Sequence, residues 1–308
     1  MLNTITDELV AERVLPASEW TQRAAAHAAA LDKILDPYLK KRSRREKDPV
    51  LDFLFEYYSF RPAHLRRWSP GIGYALELDE EHSLPPFSEL QISDGIAALD
   101  PTLFPANRER ALQFYYRVLT ASAERRPLFG CFGMHEWAMV YKAGDVRHDQ
   151  IPLRLPPAEI AKVVESRPLL CTHFDAFRFF TEDARPLNRH ALSREAMPGM
   201  EQPGCVHTNM DLYKLAYKYY PWVDGDLLRD AFLNALEARK IDMMASPYDA
   251  TAFGLTPIKI ETEAGRLEYA ERQHAIYEQS MPLRHRLITA YETIAQKTGI
   301  TLSAGQTG

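Results

Sequence analysis

Apolar residues recur at the spacing of an α-helix through most of this sequence, and that period most narrows the range of possible folds. After Pro105, for example, Ala111, Phe114, Tyr115 and Val118 fall on one helical face. Similar patterns predict helices over residues 18–36, 157–164, 206–220, 226–240 and 266–297. Alternating segments that predict strands are few, at residues 74–78, 151–155 and 258–261. We therefore expect a mainly α fold with a few short strands.

Two prolines and the length of 308 residues add detail to the expected helices and domain. Pro37 is expected to interrupt the first long helix, and Pro282 to kink the last one. With 46% hydrophobic and 26% charged residues, the composition is that of an ordinary globular protein. We expect a single compact helical domain over residues 1–300 and a disordered tail over residues 301–308.

Cysteine usage and hydropathy predict a cytoplasmic protein that does not associate with a membrane. No apolar run approaches the ~20 residues that a membrane-spanning helix needs. The first residues are polar and acidic, unlike a secretory signal. Three widely separated cysteines do not form a disulfide framework. We expect all three thiols to be unpaired and largely buried.

Each cysteine lies just upstream of a histidine, and a carboxylate follows each time. The three clusters are Cys131, His135 and Glu136; Cys171, His173 and Asp175; and Cys205, His207 and Asp211. Such side chains carry out proton transfer, nucleophilic attack and metal ligation. We expect at least two of the histidines to line one cavity with nearby carboxylates. The competing interpretation is that each histidine is a satisfied structural residue.

The segment 201–220 is the most informative of the three. On a helix, His207 and Asp211 are four residues apart, so they can bind one metal ion or share one proton. The same pair is also compatible with a solvated helix face. In the second cluster, Asp175 and Arg178 are three residues apart, and an ordinary ion pair would explain both.

The net charge of −5 does not favour a protein built around phosphate neutralisation, although one stretch is strongly basic. The basic residues expected to contact nucleic acid are Lys40, Lys41, Arg44, Arg45, Arg66 and Arg67. Three interpretations remain open for this basic run: a solvated helix end, a polyanion-binding strip or a protein-docking surface.

Several segments together resemble a known protein family over nearly the whole chain. They are FLFEYYSFRP (53–62), GCFGMHEWAMVY (130–141), HFDAFRFFT (173–181), QPGCVHTNMDLYK (202–214) and DMMASPYD (242–249). The chain is similar in these segments to a family of bacterial proteins commonly labelled 3-methyladenine DNA glycosylase, but not of the helix-hairpin-helix type. The resemblance implies a hydrolase that releases a damaged or modified base from DNA or a nucleoside-like molecule, with the base held outside the stack.

The hydrolysis that the resemblance implies would need acid–base and binding groups, and the residues of these segments offer candidates. The candidate catalytic groups are Glu136, Asp175, Asp211 and His135. The candidate substrate-binding residues are Trp137, Tyr141, Arg178, Asn188, Gln202, Asn209, Tyr213 and Tyr248. A carboxylate would activate water or stabilise a cationic sugar, and aromatic rings would enclose the base.

Two other function classes are open on the residues alone. The first is a metal-dependent enzyme that acts on a small molecule, with non-haem iron, manganese or zinc as its cofactor. Its candidate ligands are His135, His173, His207 and Asp211. The second is a nucleotide- or protein-binding module in which the histidine and cysteine clusters are merely buried.

Overall fold

The fold is taken from a computed structural model of the chain, which describes residues 11–144 and 151–304. Within these residues, the predicted mainly α fold with a few short strands is confirmed. The helices are α1 (Ala17–Ser43), α2 (Pro49–Asp52), α3 (Pro62–Leu65), α4 (Glu109–Glu124), α5 (Met134–Val140), α6 (Pro157–Glu165), α7 (Phe174–Phe177), α8 (Met197–Met200), α9 (Val206–Lys218), α10 (Gly225–Ala245) and α11 (Glu263–Thr298). A π-helical turn lies at Phe53–Tyr57, and 3₁₀ turns lie at Pro101–Leu103, Ala106–Arg108, Arg185–Leu187 and Thr251–Phe253.

The strands form one small sheet near the start of the chain. They are β1 (Arg13–Leu15), β2 (Tyr74–Glu77), β3 (Leu90–Ser93) and β4 (Ile96–Leu99), in the order β1-β2-β4-β3. Strand β1 is parallel to β2, and the other pairs are antiparallel. Only β2 was predicted. The β3–β4 hairpin turns at Asp94 and Gly95, which both have positive φ, and an Asp-Gly pair is a strong hairpin signal that predicts such a turn.

The other two predicted strands are wrong. Residues 258–261 are irregular: Ile258 and Ile260 are both buried, and Ile258 donates its backbone N–H to Met244 instead of to a strand. The alternation of apolar and charged residues in this segment therefore reflects two buried isoleucines in a loop. In the segment 151–155, pairing is limited to one isolated bridge between Leu153 and Tyr248.

The predicted interruption at Pro37 is also wrong, since α1 runs through it. A proline inside a helix removes one hydrogen bond and strains the preceding turn. Leu31, Leu35 and Tyr38 are all buried on either side of this proline. Burial of that continuous apolar face outweighs the lost hydrogen bond. Helix α11 includes Pro282, as expected, and the kink at this residue stays a prediction.

The described chain forms two compact units. The first contains the described residues up to Tyr116, with Tyr213–Phe232 and Leu283–Ser303. The second contains Arg117–Leu212 and Leu233–Pro282, together with Ala304. The single domain over residues 1–300 stays a prediction. In the expected tail, residues 301–304 form no helix or strand, and residues 305–308 lie outside the described residues.

None of the helices in the described ranges combines the length and the apolar character that crossing a bilayer requires. The first unit includes the sheet, where Leu15, Trp20, Trp68 and Leu76 form one apolar cluster. The second unit includes all three cysteine–histidine clusters, and Trp137 is fully buried in it.

The start of α11 gives a test of this packing. A Cβ added to Gly265 would lie 2.0 Å from the carbonyl oxygen of Lys259, which is backbone and cannot rotate away. Gly265→Ala should therefore lower the free energy of unfolding by about 1–3 kcal/mol, measured by urea denaturation. The matched control is Gly199→Ala, because a Cβ there meets nothing within 4 Å. The control should leave stability unchanged or raise it by up to about 1 kcal/mol. Equal stability of the two variants would contradict the packing at Lys259.

Candidate metal centre

The three histidines that follow the cysteines lie together in the second unit. His135 is on α5, His173 precedes α7, and His207 is in the first turn of α9. The ring centroids of His135 and His207 are 4.3 Å apart, and those of His173 and His207 are 5.3 Å apart. All three side chains are buried. The three histidines therefore lie close together, as expected, and the expectation that they line one cavity stays a prediction.

A tight turn before α5 positions the first of them. Phe132 and Gly133 have φ values of 49° and 72°, so two successive residues are left-handed. Glycine tolerates this conformation, whereas a phenylalanine there is strained. A Cβ on Gly133 would also lie 3.1 Å from the Cβ of Ala245. The turn therefore fixes the direction in which α5 begins, and with it the position of His135.

His135 belongs to a buried network of two cations and two carboxylates. Its Nε2 lies 2.7 Å from Oδ1 of Asp242, which is on α10. Arg239, one turn before Asp242, donates from Nη1 to Oδ2 of Asp242. The same nitrogen lies 2.9 Å from Oε1 of Glu136. Each of these four residues is 5% exposed or less, so their charges are balanced by one another and not by water.

The network sets the protonation states of its members. Burial alone would lower the pKa of His135, but the charge of Asp242 and the hydrogen bond to it raise that pKa well above 6.5. Burial would raise the pKa of Asp242, but His135, His207 and Arg239 hold it far below its usual range. The His135–Asp242 contact is therefore an imidazolium–carboxylate pair in the absence of a metal ion.

His207 has the opposite electrostatic environment. Burial lowers the pKa of His207 well below 6.5, and the charge of His135 lowers it further. The ring is therefore neutral, with a lone pair on one nitrogen. No residue in the described ranges forms a hydrogen bond with it.

His173 is held by hydrogen bonds at both ring nitrogens. Its Nδ1 accepts the backbone N–H of Ala176 at 3.2 Å, which caps α7. The proton of the neutral ring is therefore on Nε2. That atom lies 3.3 Å from Oδ2 of Asp211 and 3.7 Å from Oε1 of Glu201. Asp211 thus pairs with His173, and not with its i−4 neighbour His207.

One group of donors in the described part of the chain could hold a metal ion. One ligand atom each from His135, His207 and Asp242 lies within 4.8 Å of the other two. Two of the three were predicted as ligands. The remaining predicted ligands, His173 and Asp211, form a hydrogen bond with each other. The carboxylate of the candidate metal site is that of Asp242, and not the predicted Asp211.

The cysteines are unpaired, as predicted. Cys171 is buried, whereas Cys131 and Cys205 are half-buried. Cys131 Sγ lies 3.8 Å from Nδ1 of His135. Burial raises the pKa of the Cys205 thiol to about 12 and that of Cys171 well above 9.0, so both are protonated near neutral pH. A protonated thiol is a poor nucleophile and a poor metal ligand.

Three side-chain amides that were predicted to bind substrate instead form hydrogen bonds with backbone groups around the centre. Gln202 Oε1 accepts from the N–H groups of Leu128 and Gly204, at 2.9 and 2.7 Å. Asn188 Oδ1 accepts from the N–H of Cys171 at 2.9 Å. Asn209 instead donates from Nδ2 to the carbonyl of Pro203, at 2.9 Å. These amides shape the loops that carry the cysteines and histidines.

The remaining predicted site residues lie in several environments. Trp137, Tyr141 and Tyr248 are buried in the second unit; Trp137 donates to the carbonyl of Ala245, and Tyr141 donates to Glu165. Tyr213 is buried in the first unit, where its ring contacts Phe60 and Phe232.

Asp175 and Arg178 form the expected ion pair. The distance from Arg178 Nε to Asp175 Oδ1 is 3.6 Å, and the side chain of Arg178 is 47% exposed. The catalytic and substrate-binding roles of these two residues stay predictions.

The basic run belongs to the first unit, and some of its members are neutralised there. Lys41 Nζ lies 3.0 Å from Asp48. Arg66 contacts both Asp32, at 2.9 Å from its Nε, and Asp36. Lys41 is also in the last turn of α1, where a cation is favoured by the helix dipole. These contacts fit the interpretation of the run as a solvated basic helix end.

The sequence interpretation did not identify three members of the centre as ligands or catalytic groups. Asp242 lies in the segment DMMASPYD but was not predicted as a ligand, and neither Arg239 nor Glu201 was predicted to have a role. Arg239 and Asp242 are three residues apart on α10, a spacing typical of an ion pair. The same helix carries the exposed pair of Lys240 and Glu237, so this spacing alone does not indicate buried charge. Glu201 had no local signal.

Comparisons of this chain with protein-family models, with curated proteins and with solved structures found no match. The centre is therefore interpreted from its own geometry.

The network predicts a large effect of one isosteric change. Asp242→Asn removes the charge that both His135 and Arg239 depend on, so the free energy of unfolding should fall by about 3–5 kcal/mol in urea denaturation. Asp183→Asn is the matched control, because Asp183 is exposed in the same unit. The control should have no resolvable effect. A stability of Asp242→Asn equal to that of the wild type would contradict the network.

Proposed function

We propose that this protein is a metal-dependent enzyme, most simply a hydrolase, whose ion is held by His135, His207 and Asp242. The observation that carries the proposal is the approach of their ligand atoms to within 4.8 Å of one another in a buried site. Two histidines and one carboxylate are a donor set that suits zinc, iron(II) and manganese(II). Such a set leaves coordination positions for water or substrate.

The protonation states support a site that exchanges protons for a metal ion. His207 is neutral, so a lone pair is already available for ligation. Nε2 of His135 lies 2.7 Å from Asp242 and shares a proton with it, so that proton must leave before both atoms ligate one ion. Metal affinity should therefore fall as the pH falls, as is usual for sites with protonated ligands.

Residues next to the donors would hold them in place. Arg239 bonds to Asp242 and Glu136, and this fixes the carboxylate of Asp242 in one orientation. Groups that orient metal ligands in this way commonly change metal affinity 10–100-fold when removed.

The inference of hydrolysis rests on the pair formed by His173 and Asp211. A bound divalent ion would supply a Lewis acid that lowers the pKa of water. His173 carries its proton on Nε2, facing Asp211 and Glu201, with its ring beside that of His207. Such a pair can take up and return a proton, as acid–base catalysis requires. Release of a damaged or modified base, which the family resemblance implies, is one hydrolysis of this kind.

A small molecule suits this proposal better than duplex DNA as the substrate. The ion pairs of Lys41 and Arg66 with aspartates would compete with phosphate contacts. The net charge of −5 also opposes association with a polyanion.

Metal content provides the first test of the function. Elemental analysis of purified protein should find a first-row transition metal. After chelation, calorimetric titration with zinc should give one tight site per chain. His207→Ala should weaken zinc binding by at least about tenfold, because one ligand is lost. His285→Ala is the control, since His285 is exposed on α11.

Two outcomes would contradict the metal site. One is a folded, chelated wild-type protein that binds no zinc, iron(II) or manganese(II). The other is a His207→Ala variant with the zinc affinity of the wild type.

DNA binding provides a separate test of the substrate. With a fluorescent DNA duplex at physiological salt, the wild type should bind with a dissociation constant of about 10⁻⁴–10⁻⁶ M or weaker, the range of non-specific association. The double variant Lys40→Glu, Arg45→Glu should bind equally weakly. Tight, salt-dependent binding that this variant loses would instead favour the DNA glycosylase interpretation.

A further inference from the structure

A cavity of about 210 Å³ lies in the second unit beside the turn that carries His135. Phe132 and Met134, which flank the left-handed Gly133, contribute apolar lining. The next residue along the chain is His135. The turn therefore presents side chains to the cavity and begins the helix that carries a proposed metal ligand.

The polar lining of the cavity is mostly cationic. Lys162, Arg167 and Arg266 contribute positive charge, and Glu261 is the only acid among the described residues of the lining. Glu261 is already neutralised, because Arg154 contacts its two carboxylate oxygens at 2.9 and 3.3 Å. The cavity therefore has three cations and no unpaired carboxylate.

The three cations lack acidic partners. Among the described residues, neither Lys162, Arg167 nor Arg266 forms an ion pair, although Arg266 donates one hydrogen bond to the carbonyl of Ile260 at 3.1 Å. Arginine and lysine that converge without carboxylates attract carboxylate or phosphate groups. The strained backbone of Phe132 is a second and independent feature, since such strain clusters at ligand-binding and active sites.

We propose that this cavity binds the anionic group of a small substrate, a carboxylate or a phosphate monoester joined to a compact apolar body. The cations would contact the anion, and Phe132 and Met134 would contact the apolar part. The term substrate rests on the proposed metal-dependent function. The binding of a small anion does not depend on it.

The test compares three ligands that share one ring. Phenyl phosphate and benzoate carry the two candidate anions, and phenol is the neutral control. Calorimetry with the full-length protein should detect binding of at least one anion and no binding of phenol. The relative affinities of phenyl phosphate and benzoate then identify the preferred anion.

Two substitutions locate the anion. Lys162→Ala and Arg167→Ala should each weaken binding by about tenfold, the usual effect of losing one charge-assisted hydrogen bond. Lys240→Ala is the control, because Lys240 pairs with Glu237 on α10 and does not line the cavity. The control should bind as the wild type does.

The His207→Ala variant tests whether anion binding in the cavity is independent of zinc binding at the metal centre. This variant should lose zinc affinity and keep anion affinity, whereas Arg167→Ala should do the opposite. Anion binding without zinc binding in the wild type would leave the cavity proposal standing and remove the proposed function. Zinc binding without anion binding would overturn the cavity proposal alone. Phenol binding as tight as that of the anions, or anion affinity lost in His207→Ala, would also overturn it.

Discussion

The centre of the second unit depends on the carboxylate of Asp242. It accepts from Arg239, contacts His135 at 2.7 Å, and is fully buried. An isolated buried charge is costly, whereas a buried pair with good hydrogen bonds is tolerated. Asp242 and Glu136 face Arg239 and favour its charged form in the interior. The positions of α5 and α10 are therefore linked through charge as well as through apolar packing.

Buried carboxylates give the three histidines different protonation states. His135 is protonated beside Asp242, and His207, next to that cation, is neutral. His173 takes its own carboxylates, Asp211 and Glu201, and its Nδ1 caps α7. Three rings in contact thus have three different proton arrangements. This asymmetry gives one ring an available lone pair and another a proton that can be exchanged, which is the basis of the proposed metal site.

Sequence patterns predicted the helices well and the loops poorly. Helical periodicity located α6, α9, α10 and α11 because each buries a continuous apolar face. Periodicity also suggested a strand at Ile258 and Ile260, where two buried side chains anchor an irregular segment instead.

The three histidines of the site were found because each has a cysteine and an acid nearby in sequence. Glu201 and the partnership of Asp242 with His135 were not found, because His135 and Asp242 are 107 residues apart and no local pattern encodes such contacts.

X-ray absorption spectroscopy of the zinc-loaded protein tests the central claim most directly. The account predicts nitrogen and oxygen ligands at about 2.0–2.2 Å, with the scattering pattern of two imidazoles and no sulfur. A zinc–sulfur distance of about 2.3 Å would place the ion on the cysteines and contradict it.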